Sequence, residues 1–240
     1  MAIGPAVERS VAVGYGLTYD AIFRSFAPYR ALLAEVLECA RRSLEARPAP
    51  PSPRVLEVGC GTGNFSLALA ERGYSVVGED PYGPLVARAR RKAEARGLSN
   101  VTFRPAPGAD GGYDLALSVH VLYAHPDPVR ELARAFSRLR QGGHAIVINF
   151  AESAPVVATA RDVWSRQGAG AALNSLLWLI PNALFDLLRG RGQSHYWKAS
   201  EFKACLEDVG FEVLEVRPTF LNGISLLAWC QKKIEGSEKR

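Results

Sequence analysis

The sequence predicts an α/β protein built around a mostly parallel sheet, and three patterns predict it. Short apolar runs alternate with helical segments between residues 55 and 150, the rhythm of strands joined by crossover helices. The first run ends in Gly59, Gly61 and Gly63 just before a helix, so a strand passes into a helix through bare backbone. The last two runs, 211–216 and 224–230, are joined by a turn around Asn222-Gly223, as in a hairpin.

A chain of 240 residues with 48% hydrophobic content supports one large domain with a substantial core and argues against disorder. The net charge of +5 is scattered over helical segments. Its one dense group, Arg88, Arg90, Arg91 and Lys92, reads as a solvated helix face, so no nucleic-acid partner is expected. Cys39, Cys60, Cys205 and Cys230 lack metal-ligand or redox spacing, so reduced thiols, no metal and a cytoplasmic setting are expected. No basic, apolar-cored leader opens the sequence. The uncharged stretch 167–185 contains Asn174, Ser175, Pro181 and Asn182, a poor membrane span where ~20 mostly apolar residues are wanted.

Residues up to about 13 show no pattern. Tyr15, Tyr19, Phe23 and Phe26 then recur at helical spacing, with Asp20 beside Tyr19. Pro28 begins a longer helix reaching Glu45, with Leu32, Leu33, Val36, Leu37 and Leu44 on one side. The Pro-rich stretch 48–53 reads as a linker. Val55, Leu56 and Val58 form a strand buried on both faces, and 66–72 form a helix stopped at Gly73. Glu57 lies inside the end of that strand, where a carboxylate suits a cationic ligand better than a pyrophosphate. The glycine spacing also departs from the Gly-x-Gly-x-x-Gly of dinucleotide sites.

The run Glu57-Val-Gly59-Cys60-Gly61-Thr-Gly63 resembles motif I, Glu/Asp-x-Gly-x-Gly-x-Gly, of the class I S-adenosylmethionine (SAM)-dependent methyltransferases. The likeness covers roughly residues 15–233 and is strongest over 55–150. It implies a Rossmann-like, seven-stranded, mostly parallel sheet with an antiparallel last strand, SAM as cofactor, and a small-molecule acceptor, as in the ubiquinone-type branch. It also implies an organisation: an N-terminal helical lid at 1–47, a SAM-binding core at 54–150, a helical cap at 151–198 and a return to the core at 199–233; the charged tail, 234–240, is expected to fray. Glu57, Gly59, Cys60, Gly61 and Gly63 fall on the cofactor motif. Many small-molecule methyltransferases open with a Tyr-Asp pair and helices that close over the cofactor. Tyr15 and Tyr19 are therefore expected nearest the ligand, with a core role equally open.

The second strand, 74–78, ends at Glu79 and Asp80, and a helix follows over 84–96. An acid about 20 residues beyond the glycine turn can accept hydrogen bonds from both ribose hydroxyls. Aligning Gly78-Glu79-Asp80 on the family's Gly-x-Asp gives that role to Asp80, with Pro81 beside it and Glu79 in reserve. After the third strand, 101–103, the family's acid for the adenine amino group is replaced by Ala106 and Pro107. Asp110 is the late candidate, against backbone groups and apolar packing. The fourth strand, 113–118, delivers Ser118, Val119 and His120 toward the cofactor's sulfonium end. A helix over 128–139, a turn at Arg140-Gln141-Gly142-Gly143 and a fifth strand at 144–150 follow.

Residues 151–198 break the alternation. Helical segments at 156–167 and 173–188 match the family's insertion over the acceptor. Leu176, Leu177, Trp178, Ile180, Leu184 and Phe185 make it apolar, which suits an apolar or aromatic acceptor, a plain core, or a peripheral membrane contact. A helix over 200–209 ends at Gly210.

Methyl transfer is an in-line displacement with an excellent leaving group, so alignment and water exclusion come first. A base helps where the acceptor carries a proton. His120, His125 and His195 are the candidate bases, and Tyr123, with Tyr196, is placed to orient the acceptor; His144 opens strand five at the wrong end of the sheet. Two other functions compete. One is a catalytically silent SAM-fold binding or assembly protein. The other is an NAD-dependent oxidoreductase, which the glycine spacing and Glu57 disfavour. Nothing indicates the oligomeric state.

Overall fold

The computed structural model describes residues 10, 13–14, 20–21, 23–24, 26–45, 52–105, 107–151, 156–173, 175–176, 179–180, 183 and 195–234. Its elements in chain order are α1 (Ala27–Glu45), β1 (Arg54–Val58), α2 (Asn64–Ala70), β2 (Ser75–Glu79), α3 (Gly83–Ala95), β3 (Val101–Arg104), β4 (Tyr113–Val119), α4 (Pro128–Arg138), β5 (Leu139–Phe150), α5 (Val156–Gln167), α6 (Ala199–Val209), β6 (Phe211–Thr219) and β7 (Ser225–Lys232). Short 3-10 turns occupy Leu122–Ala124 and Leu221–Gly223.

The seven strands form one sheet in the order β3-β2-β1-β4-β5-β7-β6. β1 to β5 run parallel, and β7 inserts antiparallel to both β5 and β6. The expected architecture is therefore present. Side chains alternate across each strand, and both faces are covered. Val55, Leu115, Leu117, Ile146 and Ile148 pack with α1 and α2. Leu56, Val58, Ala116, Ala145 and Val147 pack with Leu132 of α4 and with Phe202 and Leu206 of α6. This double burial is why the middles of β1 and β5 read as apolar runs, interrupted in β1 by Glu57.

Some boundaries differ from expectation. β5 begins at Leu139, because Tyr113 pairs with Leu139 before the register jumps to Leu115 opposite His144. The Arg140–Gly143 stretch is a bulge inside the ladder rather than a turn before it. The Asn222-Gly223 turn is entered through Phe220 and Leu221, both with positive φ. The tail from residue 235 lies outside the described residues.

α1 is fixed to the far edge of the sheet by polar contacts as well as packing. Trp229 Nε1 on β7 donates to Ser43 Oγ at 2.9 Å, and Arg217 and Thr219 of β6 both engage Glu35. At the opposite edge, Glu79 at the tip of β2 is buried and accepts from Arg138 Nη1 and Nη2 (2.7 and 2.9 Å), Arg104 Nε (2.8 Å) and the Gly108 amide (3.0 Å). Burial works against ionisation, yet these donors hold its carboxyl below the ordinary value. Asp110 joins the same network through Arg104, Tyr113 and Arg138. The network stitches the β3–β4 connection to α4.

Arg138→Ala leaves the buried Glu79 short of its chief partner. It should destabilise the protein by about 3–5 kcal/mol in urea denaturation, whereas the double change Glu79→Gln, Arg138→Met should recover part of the loss. A depressed carboxyl pKa stabilises above its unfolded value and loses that effect as pH falls through the folded value. The double variant should therefore show a shallower decline in stability on acidification.

Candidate active site

A cavity of about 520 Å³ opens at the C-terminal ends of β1, β2 and β4. This is where the chain order reverses, the usual ligand crevice of an open α/β sheet. Its floor is the glycine turn. Gly59 has φ +70°, and a Cβ there would fall 2.3 Å from Val121 Cγ2. Gly61 has φ +53° and nothing within 4 Å of its missing Cβ, so its bare face borders open space.

Two acids flank this backbone. Asp80 accepts from the Gly61 amide and the Tyr82 amide, both at 2.9 Å. Burial raises its pKa, and these two hydrogen bonds oppose the rise. Glu57 is only 2% exposed and is donated a hydrogen bond by Ser66 Oγ. Burial lifts its carboxyl to about 7 against the Ser66 hydrogen bonds and the more distant Lys92 charge, and among the described residues no arginine or lysine comes within ion-pair distance of it. The site therefore holds two carboxylates that lack a cationic partner, beside exposed backbone.

The N-terminal segment reaches this floor through Asp20, whose Oδ1 accepts from Thr62 Oγ1 (2.7 Å) and Lys92 Nζ (2.6 Å) and whose Oδ2 accepts from Arg88 Nε (3.0 Å). Burial opposes its ionisation, but these partners hold its pKa below the usual value. Phe23 lines the cavity and packs edge-on against Phe65. Tyr15 and Tyr19 lie outside the described residues.

The three candidate histidines separate. His120 lines the cavity with an uncommon φ of +54°. Its ring stacks on Phe150 at 4.0 Å, with Nδ1 3.3 Å from Tyr29 Oη and Nε2 2.9 Å from Ser225 Oγ. Burial drives its pKa down to about 3, so it stays neutral across the physiological range. His125 also lines the cavity. Its Nδ1 accepts from the Asp127 amide at 3.1 Å, which places the remaining proton of the neutral ring on Nε2, 3.7 Å from Glu131 Oε2. His195 is not on the cavity wall; its amide donates to the Tyr123 carbonyl and its ring stacks near Trp197. Tyr123 is buried on the wall, edge-on to Phe150.

Of the other expected residues, Cys60, Pro81 and Val119 line the cavity. Ser118 does not: its Oγ is buried on the opposite face of the sheet, with no hydrogen-bond partner among the described residues. The alternation of β4 sends Val119 toward the cavity and Ser118 away from it. Asp110 is also off the wall, because Arg104, Arg138 and Tyr113 hold its carboxylate. Glu79 is on the wall, but its oxygens are taken. Sequence reasoning missed Glu131 and Arg134 of α4, which line the cavity as a contacting pair. Their signal was faint, since an i, i+3 acid–base pair is ordinary on a solvated helix face.

The model of the family described as "Methyltransferase domain" matches residues 23–216. Among relatives, the phosphatidylethanolamine N-methyltransferase of Cereibacter sphaeroides is 32% identical over 139 residues, covering 54% of this chain and 68% of that protein. The demethylmenaquinone methyltransferase of Thermus thermophilus is 34% identical over 142 residues, covering 54% of this chain and 64% of that protein. The chain thus spans less than two thirds of that relative. The magnesium protoporphyrin IX methyltransferase of Synechocystis, solved with bound S-adenosylhomocysteine, shares the fold at a TM-score of 0.62, with 18% identity over 90% of this chain and 93% of that one. With its motif I strand, its 3-2-1-4-5-7-6 sheet and a family match over most of its length, the chain belongs to the methyltransferase-domain family, the class I SAM-dependent methyltransferases.

Proposed function

We propose that the chain moves a methyl group from SAM to O, N or C of a small apolar or aromatic acceptor. One observation carries the reading. Bare backbone at Gly61 lies between two buried carboxylates without cationic partners, Glu57 and Asp80, and the rest of the cavity wall is largely apolar and aromatic. These residues fit a ligand that is cationic at one end and carries vicinal hydroxyls. Asp80 would accept from the ribose hydroxyls and Glu57 would face the cationic methionine end, with Gly59, Cys60 and Gly61 providing the close approach; Gly63 is off the wall, where a Cβ would strike Phe103 at 2.6 Å. Pro81, Val119 and His120 complete the wall. SAM supplies the electrophilic methyl. The chain's own residues align the acceptor and exclude water.

The histidines favour alignment over proton removal. His120 is held neutral with both ring nitrogens engaged. His125 has its lone pair occupied by the Asp127 amide. His120 and Tyr123 would then position the acceptor, and its proton would leave by another route, to water or to the substrate's own base. The two relatives above are named for a lipid amine and a quinone precursor, which supports an apolar acceptor.

Labelled SAM offered with a panel of quinols, phenols and lipid amines should give methyl transfer to at least one class. SAM binding with no transfer to any would favour the catalytically silent alternative. Binding itself has a signature. A cationic ligand should pull the proton from Glu57, so binding between about pH 6 and 7 should release a proton, read by calorimetry in buffers of different ionisation enthalpy. Glu57→Gln should abolish the release and weaken binding about tenfold (~1.4 kcal/mol).

A second reading concerns the cap. Val157 and Trp164 share one outward face of α5 and are 81% and 64% exposed, with Arg161 exposed on the same face. Leu173 and Ile180 are 68% and 55% exposed in the following helical stretch. Large apolar groups with an arginine among them suit the surface of an anionic bilayer. No helix among the described residues is long and apolar enough to cross one. The protein should co-sediment with anionic vesicles, and Trp164→Glu with Leu173→Glu should reduce that several-fold. A wild-type protein that stays in the supernatant would remove the membrane reading.

A further inference from the structure

We propose that the adenine of the cofactor is read from α4, by the Glu131 carboxylate, rather than by an acid following β3. This rests on the SAM reading above and adds the group that recognises the base.

The usual candidates are occupied or absent. Among its described residues the β3–β4 connection gives the cavity Pro105 and Pro107, whose side chains can neither donate nor accept a hydrogen bond. Asp110 is turned into the network of Arg104, Arg138 and Tyr113. Glu79 reaches the wall with its oxygens committed to Arg138, Arg104 and the Gly108 amide.

α4 brings a replacement to the same end. Arg138, at its last turn, bonds Glu79 and donates from Nε to the Asp110 carbonyl at 2.9 Å, so this helix face lies against the β2 tip and the β3–β4 connection. Arg134 and Glu131 lie four and seven residues earlier, on the same face one and two turns up. Both line the cavity that Pro105 and Pro107 also line. Arg134 grips Glu131 Oε1 and fixes the carboxylate. Oε2 takes no hydrogen bond among the described residues, and His125 Nε2 lies 3.7 Å from it, beyond hydrogen-bond reach. An acceptor position on Oε2 therefore remains, in a side chain only 6% exposed.

A carboxylate accepts and cannot donate. Adenine offers an exocyclic amino group as donor, whereas hypoxanthine carries an oxygen at that position. A site built to accept from an N–H rejects the analogue that lacks it. Glu131 should make the pocket prefer an adenosyl over an inosyl ligand.

Calorimetric titration of the whole chain with S-adenosylhomocysteine and S-inosylhomocysteine tests this without turnover. The wild type should favour the adenosyl compound by about 10–100-fold. Glu131→Gln, which keeps the shape and can turn its amide toward the inosyl oxygen, should bring the two affinities within about twofold of each other. Equal affinities in the wild type, or an unchanged preference in Glu131→Gln, would overturn the assignment. The wild-type ratio needs no variant, so a misfolded Glu131→Gln leaves the test standing. Failure of both compounds to bind the wild type would instead overturn the SAM reading, and this assignment with it.

Discussion

The hydrogen bond from the Gly61 amide to Asp80 organises the ligand end of the molecule. It ties the turn after β1 to the tip of β2, and the Cys60 amide reinforces it by donating to the Glu79 carbonyl at 2.9 Å. The turn can reach this position only with φ positive at Gly59, Gly61 and Gly63, which side chains bearing a Cβ rarely adopt. Once the turn is set, α2 starts directly behind it at Asn64, and Thr62 presents its hydroxyl to Asp20. Asp20 thus takes its position from the same few atoms that bound the cavity floor.

The acids around this end divide by the kind of donor they meet. Glu79, Asp110, Asp20 and Glu131 each meet an arginine or lysine, while Glu57 and Asp80 meet only hydroxyl or backbone donors. The consequence shows in their protonation: burial raises Glu57 and Asp80, while charged partners overcome burial at Glu79, Asp110 and Asp20. Electrostatic strain is therefore concentrated on the two carboxylates beside bare backbone. A cationic ligand would relieve it, and a dinucleotide pyrophosphate would increase it. The same contrast separates Asp80 from its neighbour Glu79, a pair that the sequence ranks by register alone.

The fold was legible because its signals are local. A doubly buried strand has an unbroken apolar run, a glycine turn has its spacing, and a helix that ends at Gly210 has its αL residue at φ +111°. The expected acids at Glu57 and Asp80 follow from the same local register. What resisted reading depends on distant partners. Asp110 looked like a loop acid near the base until Arg138, 28 residues away, proved to hold it. Ser118 and Val119 are adjacent in sequence, yet strand alternation sends only one of them to the cavity. Glu131 sits in an ordinary helical charge pair, and only the packing of α4 against the β3–β4 connection turns it inward. The stretch expected to cap the site is described only in part, since Leu177, Trp178, Leu184 and Phe185 lie outside the described residues.

The histidines show why residue type is a weak guide to catalytic role. A base must present a lone pair to the acceptor at a pKa near the working pH. His120 fails on both counts, since it is stacked on Phe150, bonded at both ring nitrogens and kept neutral by burial. For His125 a single backbone amide, that of Asp127, consumes the lone pair it would need. That amide belongs to the residue that caps α4, where Asp127 also accepts from the Arg130 amide. The geometry that begins the helix thus also fixes the imidazole, and freeing the lone pair would mean loosening the turn that starts α4. A displacement at a sulfonium methyl, from which a neutral thioether departs, needs little help from a base once the acceptor is aligned. An arrangement that commits its histidines to rigidity is consistent with that chemistry.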